Sequence, residues 1–544
     1  MTRFPSLFLT MLLGATSFAR AEDCDPKGIT EITVTRAEQG ALATYQLGEA
    51  VSCLRLGDRG DVRKLSWQLQ TAGARLSEDG NIVHFAGPRK DFAVRLRAFD
   101  RDGMIDRVYS PLIAFGDGSA VAVYTSYLRP AFQERGVFLA FSGFAPTAPE
   151  RNVGPQRIGN EQTYIIVGQP VLERRGKVAA AIDQAMPAWL LRQVMRAISQ
   201  GEGALGRVAA STRALSYLMT YTEPGGPNAN WRGDTLDRLV RLNFMGAPWR
   251  QDQPDMHDKI DQFILHELFH TASAHALNPR LPGAMTLLEG GAEAGAMAMR
   301  RRFAAGPASG IRDATDGAIA RCQTIAGNTL VEKEQRRQRD TPYVCGMALQ
   351  FMVAAAVERD PLDIWETLLR KASPSEAGWP AFLAAAAATG KPNKPNKPVL
   401  AILDDMTASR IDWGSGIAQL STAGLLRRRT EAELAGPGYA QLYLTGAIFH
   451  LLGQSCRKSY GFNSEPPVFE LDAPAGTCDT VPDKFRLVAM NGLRLDGDAY
   501  KAHRELARRC AAGVPVELAD DRGHKIELPC TTPPAEVVQY GLSH

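Results

Sequence analysis

The amino-acid sequence predicts a multidomain α+β chain: an all-β amino-terminal region, a mainly helical middle and a smaller αβ module at the end. Three observations predict it. At 544 residues the chain is longer than one hydrophobic core supports. The period of its apolar residues changes from two to about 3.6 after residue 175. Strand-and-turn patterning then returns from about Gly438. A hydrophobic share of 45% with 22% charged residues is that of a globular protein and excludes a disordered or fibrous class.

The amino terminus reads as an export signal over residues 1–21. Arg3 precedes the apolar run Phe4 to Phe18, and Ala19-Arg20-Ala21 places small residues at −3 and −1 of a cleavage site. The run is too short to span a bilayer, and no later segment reads as a span, so a periplasmic or secreted protein is expected. The competing reading is an amino-terminal structural helix. The eight cysteines fall into four local couples, and nearest-neighbour pairing gives Cys24–Cys53, Cys322–Cys345, Cys456–Cys478 and Cys510–Cys530. An even count in an exported chain favours disulfides, although eight cysteines allow about 105 connectivities. Losing Arg3 and Arg20 with the signal lowers the net charge from +3 to +1. No basic field remains to recommend nucleic acid as a partner.

Residues 22–118 carry short, often alternating apolar stretches at Ile29 to Val34, Leu65 to Leu69, Ile82 to Phe85 and Phe92 to Phe99. Turns such as Asp79-Gly80-Asn81 and Asp102-Gly103 separate them. The pattern predicts a small β-sandwich that resembles an immunoglobulin domain. Strands at Ala120 to Tyr127, Val137 to Phe144 and Thr163 to Val167 predict a β-rich connecting region over 119–175. Over 176–430 helices are expected at Ala185 to Ile198, Ala209 to Tyr221, Lys259 to Ala276, Met285 to Phe303, Tyr343 to Val357 and Leu362 to Lys371. Lys391 to Pro398 reads as a proline-stiffened surface insertion.

The expected helix around residue 266 contains His266-Glu267-Leu268-Phe269-His270. Histidines at i and i+4 project from one helical face and can grip one cation. Glu267 lies beside them, turned away from the ion yet able to reach an attacking water. Phe263, Ile264, Leu265, Leu268 and Phe269 make the helix apolar, and buried imidazoles and carboxylates need a partner that a metal ion supplies. So short a motif also arises by chance. Its weight comes from Glu289, which follows His270 after 18 residues and opens Glu289-Gly290-Gly291-Ala292-Glu293 in another helix. A third ligand there leaves one position of a tetrahedral ion open, so a single zinc ion (Zn2+) on His266, His270 and Glu289 is expected.

Those residues resemble the gluzincin metallopeptidases, matching both the aminopeptidase N and glycyl aminopeptidase families, with His-Glu-Leu-Phe-His-Thr closer to the latter. The resemblance implies a thermolysin-like catalytic domain over 176–430, Glu267 as the base acting on water, and a peptide or protein substrate. It also implies that Glu293 orients a ligand histidine, although an exposed helix acid fits the pattern as well. Thr341-Pro342-Tyr343-Val344-Cys345-Gly346 is similar to the family's Tyr-x-Lys-Gly segment, with Cys345 in place of the lysine. This assigns Tyr343 to the developing oxyanion, against the plainer reading of a core tyrosine. A Cys322–Cys345 disulfide would brace the segment that presents it. His275 is read as a neighbour, since the third metzincin position is Ala276, and His257 as a surface loop residue.

The families' glutamate for a substrate α-amine has no counterpart in Gly225 to Asn230 or Leu236 to Met245, so aminopeptidase and endopeptidase action are both open. Over 431–544, Phe485 to Gly492, Leu493, a helix Tyr500 to Ala511 and a strand Val514 to Ala519 resemble the latter half of a PDZ domain. Tyr460-Gly461-Phe462 would be its carboxylate-binding loop, and an unrelated disulfide-braced cap is the rival. Rival functions are a catalytically silent peptide-binding scaffold and a gluzincin hydrolase of a non-peptide bond. The oligomeric state is open.

Overall fold

The computed structural model describes residues 24–543 apart from 39, 99–108, 132–135, 146–153, 160, 176–177, 209–214, 224–228, 237–238, 275, 304–308, 326, 336–340, 372, 374, 391–396, 435–443, 445–446, 449, 457–460, 466–467, 473–479, 483–484 and 535–539. The chain forms two compact units. One comprises residues 1–187 and 213–251, the other 188–212 and 252–544.

In the first unit, strands β1 (Thr30–Ala37) and β2 (Gly40–Arg55) are followed by helix α1 (Gly60–Ser66), β3 (Trp67–Leu69), β4 (Arg75–Leu76) and β5 (Ile82–Leu96). After them come β6 (Leu112–Ala114), β7 (Ala120–Tyr124), β8 (Val137–Phe144), β9 (Gly154–Ile158) and β10 (Tyr164–Gly168). All ten strands belong to one sheet of order β3-β5-β2-β1-β8-β10-β7-β6, with β4 on β5 and β9 on β8. Here the expected boundary at 118–119 fails. β1 pairs in parallel with β8, Thr30 to Val34 against Val137 to Phe141, so the expected sandwich and connecting region interleave. Alternation reveals which face of a strand is buried but not which strand lies beside it. Parts of β2 approach β6 and β7, far from it in the strand order, so the sheet curls over its own apolar face. Ile32, Val34, Tyr45, Val94, Val123 and Leu139 share that core. Leu65 to Leu69, expected as a strand, is the end of α1 followed by β3. Asp79-Gly80-Asn81 does form the turn between β4 and β5, with Gly80 at φ 74°. Asp102-Gly103 lies outside the described residues.

A second sheet of order β11-β12-β13-β15-β14 is built from β11 (Val171–Arg175), β12 (Val178–Ile182), β13 (Ser216–Thr222), β14 (Asn230–Leu236) and β15 (Leu239–Met245). Its three central strands are parallel. The helix expected at Ala209 to Tyr221 is therefore corrected: residues 216–222 are β13, buried almost throughout. A parallel strand covered on both faces shows a continuous apolar run that periodicity does not separate from a buried helix. Ala179, Ala181, Leu218 and Leu239 pack this sheet against Ile113, Ala122 and Tyr164 of the first. These strands fall inside the expected catalytic domain starting at 176 but cluster with the amino-terminal unit.

The second unit is helical in its first part. Its helices include α2 (Ala188–Val208), α3 (Pro254–Ser273), α4 (Ala284–Phe303), α5 (Ser309–Thr324), α6 (Leu330–Gln335), α7 (Thr341–Ala356) and α8 (Pro361–Lys371). Towards the carboxyl end a six-stranded sheet contains Phe485–Met490, Leu493–Arg494 and Val516–Asp520, with the helix Ala499–Ala511 after the second of these. Asn491 and Gly492 make the tight turn between the first two of these strands, both at positive φ. Tyr460, proposed for a carboxylate-binding loop, lies outside the described residues. Disulfides join Cys24–Cys53, Cys322–Cys345 and Cys510–Cys530, as expected. Cys478 of the fourth expected pair lies outside the described residues. Among the described residues no single helix is long and apolar enough to cross a membrane.

Candidate metal centre

Close helix packing builds the site. On one side of α3, Gly201 of α2 leaves room for Leu265 and Leu268. Gln193 and Arg196 of α2 hold Asp261 of α3 at 2.7 and 2.9 Å. On the other side lies α4, whose glycines face its neighbours: Gly295 meets the ring of Phe269, and Gly291 the indole of Trp365. Gly290 faces Gly346 of α7, where a Cβ on either residue would overlap the opposing backbone. Glycine weakens a helix in isolation, but here it lets two axes approach closely. Glu289 and Tyr343 both sit beside that contact, on α4 and α7.

His266 and His270, both buried, bring their Nε2 atoms within 3.0 Å of each other. Glu289 Oε2 lies 3.4 Å from the first and 3.3 Å from the second. A tetrahedron with bonds of about 2.0–2.1 Å has edges of about 3.3 Å, so the three atoms match one face of a zinc coordination shell. The donor set of two imidazoles and a carboxylate also suits that ion. The residues fit.

The electrostatics point the same way. Burial alone would lower the His266 imidazole, but the carboxylates of Glu289 and Glu293 push it up to about 10. Burial opposes ionisation of Glu289, and its two histidines reverse that, holding the carboxyl well below its ordinary range. Glu293, resisted by burial and drawn down by His266, is also held low. The cluster thus attracts positive charge to a point among three lone pairs.

Glu293 Oε1 stands 3.1 Å from His266 Nδ1, on the side of the ring away from the donor cluster. Glu267 is buried beside the histidines. Tyr343 stands in the first turn of α7, exposed, with its ring stacked on His266 at 5.7 Å between centroids. Two residues later Cys345 ties this turn to Cys322 on α5. The six residues singled out in the sequence therefore lie on three helices around one point. His257 is corrected from loop to helix: it lies in the first turn of α3, with Nε2 2.7 Å from Asp252 and its ring stacked on Trp189. His275 lies outside the described residues.

No family model matches the chain, and no curated protein sequence matches it. Its fold is similar to the crystal structure of an aminopeptidase N family protein from Idiomarina loihiensis, with a TM-score of 0.56 at 12% identity. That match covers 95% of this chain and 98% of the other. Legionella pneumophila aminopeptidase A, solved in complex with aspartic acid, aligns over 70% of this chain and 49% of its own length, with a TM-score of 0.42 at 9% identity. The chain thus shares a multidomain α+β fold with an aminopeptidase N family protein over nearly its whole length.

Three contributing residues were missed in the sequence. Gly290 and Gly346 set the spacing of α4 and α7, and their signal was available: glycines in helix interiors call for a packing reason. Gln262, one turn before His266, donates to Glu293 and carried no signal of its own.

Proposed function

We propose that this protein is an exported, zinc-dependent peptidase of the gluzincin type. The observation that carries the reading is the convergence of His266 Nε2, His270 Nε2 and Glu289 Oε2 within 3.0 to 3.4 Å of one another. These three residues would hold the ion. When bound, zinc supplies Lewis acidity: it polarises a scissile carbonyl and acidifies water. Glu267 takes the proton of the attacking water and delivers it to the leaving amine. The Tyr343 phenol donates a hydrogen bond to the oxyanion, from a turn fastened by Cys322–Cys345. Glu293, with Oε1 3.1 Å from His266 Nδ1, would favour the proton on that side of the ring, so that Nε2 offers its lone pair. The shared fold with an aminopeptidase N family protein and the disulfides support a peptidase working outside the cytoplasm. The carboxy-terminal module, read as PDZ-like, would hold peptide chain. The edge strand β14 contains no glutamate, and its Asp234 is engaged by Arg241, so recognition of a substrate α-amine by this strand is not favoured.

Metal analysis of the purified protein beside a peptide-library digest, with and without chelator, tests this reading. One zinc per chain and chelator-sensitive cleavage are expected. Glu267→Gln should keep the zinc and lose about 10²–10⁴-fold in kcat/KM. Full hydrolysis by that variant would sink the assignment.

A further inference from the structure

We propose that Gln262 is a positioning residue for the metal centre, acting through Glu293; this rests on the zinc reading above. Gln262 lies on α3 four residues before His266, hence on the same helical face. Its amide nitrogen donates to Glu293 Oε2 at 2.9 Å and to the Glu293 main-chain oxygen at 3.3 Å. Both partners are acceptors, so the nitrogen, not the oxygen, must face α4. The amide oxygen is buried and has no hydrogen-bond partner among the described residues, so the contacts to Glu293 set the orientation of the group.

The two oxygens of Glu293 divide the work. Oε2 accepts from Gln262, and Oε1 faces His266 Nδ1 at 3.1 Å. A carboxylate on a helix can swing about three torsions, and one held only by an imidazole would spread over several rotamers. With its other oxygen and its backbone tied to α3, Glu293 is fixed relative to the helix that carries both histidines. Gln262 thereby sets the plane of the His266 ring, and with it the direction of the Nε2 lone pair.

The test is a double-mutant cycle on the full chain, read as zinc affinity by competition with a chromophoric chelator. Gln262→Leu keeps the side-chain volume and removes the donor. It is expected to weaken zinc binding about tenfold, the lower end for partners behind metal ligands. In a Glu293→Ala background the same change should have no further effect, whereas a residue acting only through packing would cost the same in both backgrounds. Should Gln262→Leu not fold, Gln262→Asn, one methylene short of Glu293, should show the same loss. Wild-type zinc affinity in Gln262→Leu, or an equal loss in both backgrounds, overturns the inference while leaving the peptidase reading intact. A wild-type chain that holds no zinc overturns both.

Discussion

Two carboxylates, one in each unit, are withdrawn from water in opposite ways. Asp183, fully buried after β12, accepts from the backbone N–H groups of Gly116, Asp117, Ala185 and Tyr221 at 2.6 to 3.1 Å. Its donors are neutral, fixed by the fold and sufficient. Glu289 in α4 faces two imidazoles, each of which can lose a proton and offer a lone pair instead. The first arrangement is closed, whereas the second could exchange its protons for a cation. Burial of a charge is therefore no sign of a functional site by itself; what separates the two is whether its partners can be exchanged.

Replacing each acid in turn breaks this contrast most sharply. Glu289→Ala should cost more than the 10–100-fold in zinc affinity that losing a partner behind a ligand costs, and abolish hydrolysis. In the metal-free protein the urea midpoint should fall by what the pairing of Glu289 with His266 and His270 contributes, while the first unit is untouched. Asp183→Ala should do the reverse: it strands the buried N–H of Tyr221 and loosens the partly buried ones of Gly116, Asp117 and Ala185, which destabilises the first unit by about 1–3 kcal/mol, seen as an earlier unfolding transition. An unchanged transition would show that water replaces the carboxylate. Gly346→Ala, which forces a Cβ into α4, should cost about 1–3 kcal/mol and lower kcat by displacing Tyr343.

The smallest effect is on pH. In the metal-free protein His266 titrates near 10 rather than 6.5, so its pairing contributes fully below about pH 6.5 and is lost as pH rises through 10. Glu289 and Glu293, held below the ordinary 4.5, contribute above that value and lose their contribution on acidification. Urea midpoints of chelator-treated protein should peak between about pH 4.5 and 6.5. A peak above pH 8 would contradict the carboxylate-rich reading of the cluster.

The site was more legible in the sequence than the architecture around it. His266, Glu267 and His270 lie within one helical turn, and Glu289 and Tyr343 come in short segments that spacing and resemblance single out. Sheet topology has no such local trace. The parallel pairing of β1 with β8 joins residues about a hundred positions apart, and neither strand's alternation names its partner. The strand Ser216–Thr222 passed for a helix because both its faces are covered. The pair of Gln262 with Glu293 stayed hidden for a related reason: the contact crosses between helices, and only the packing of α3 on α4 creates it.

The meeting of Gly290 with Gly346 has a mechanical consequence. Backbones in direct contact leave no side chains between them to repack, so α4 and α7 are held as a rigid couple at this point. The backbone spacing between the positions of Glu289 and Tyr343 is then set by this contact alone, and no change of side chain elsewhere along the two helices can widen it without parting the two glycines.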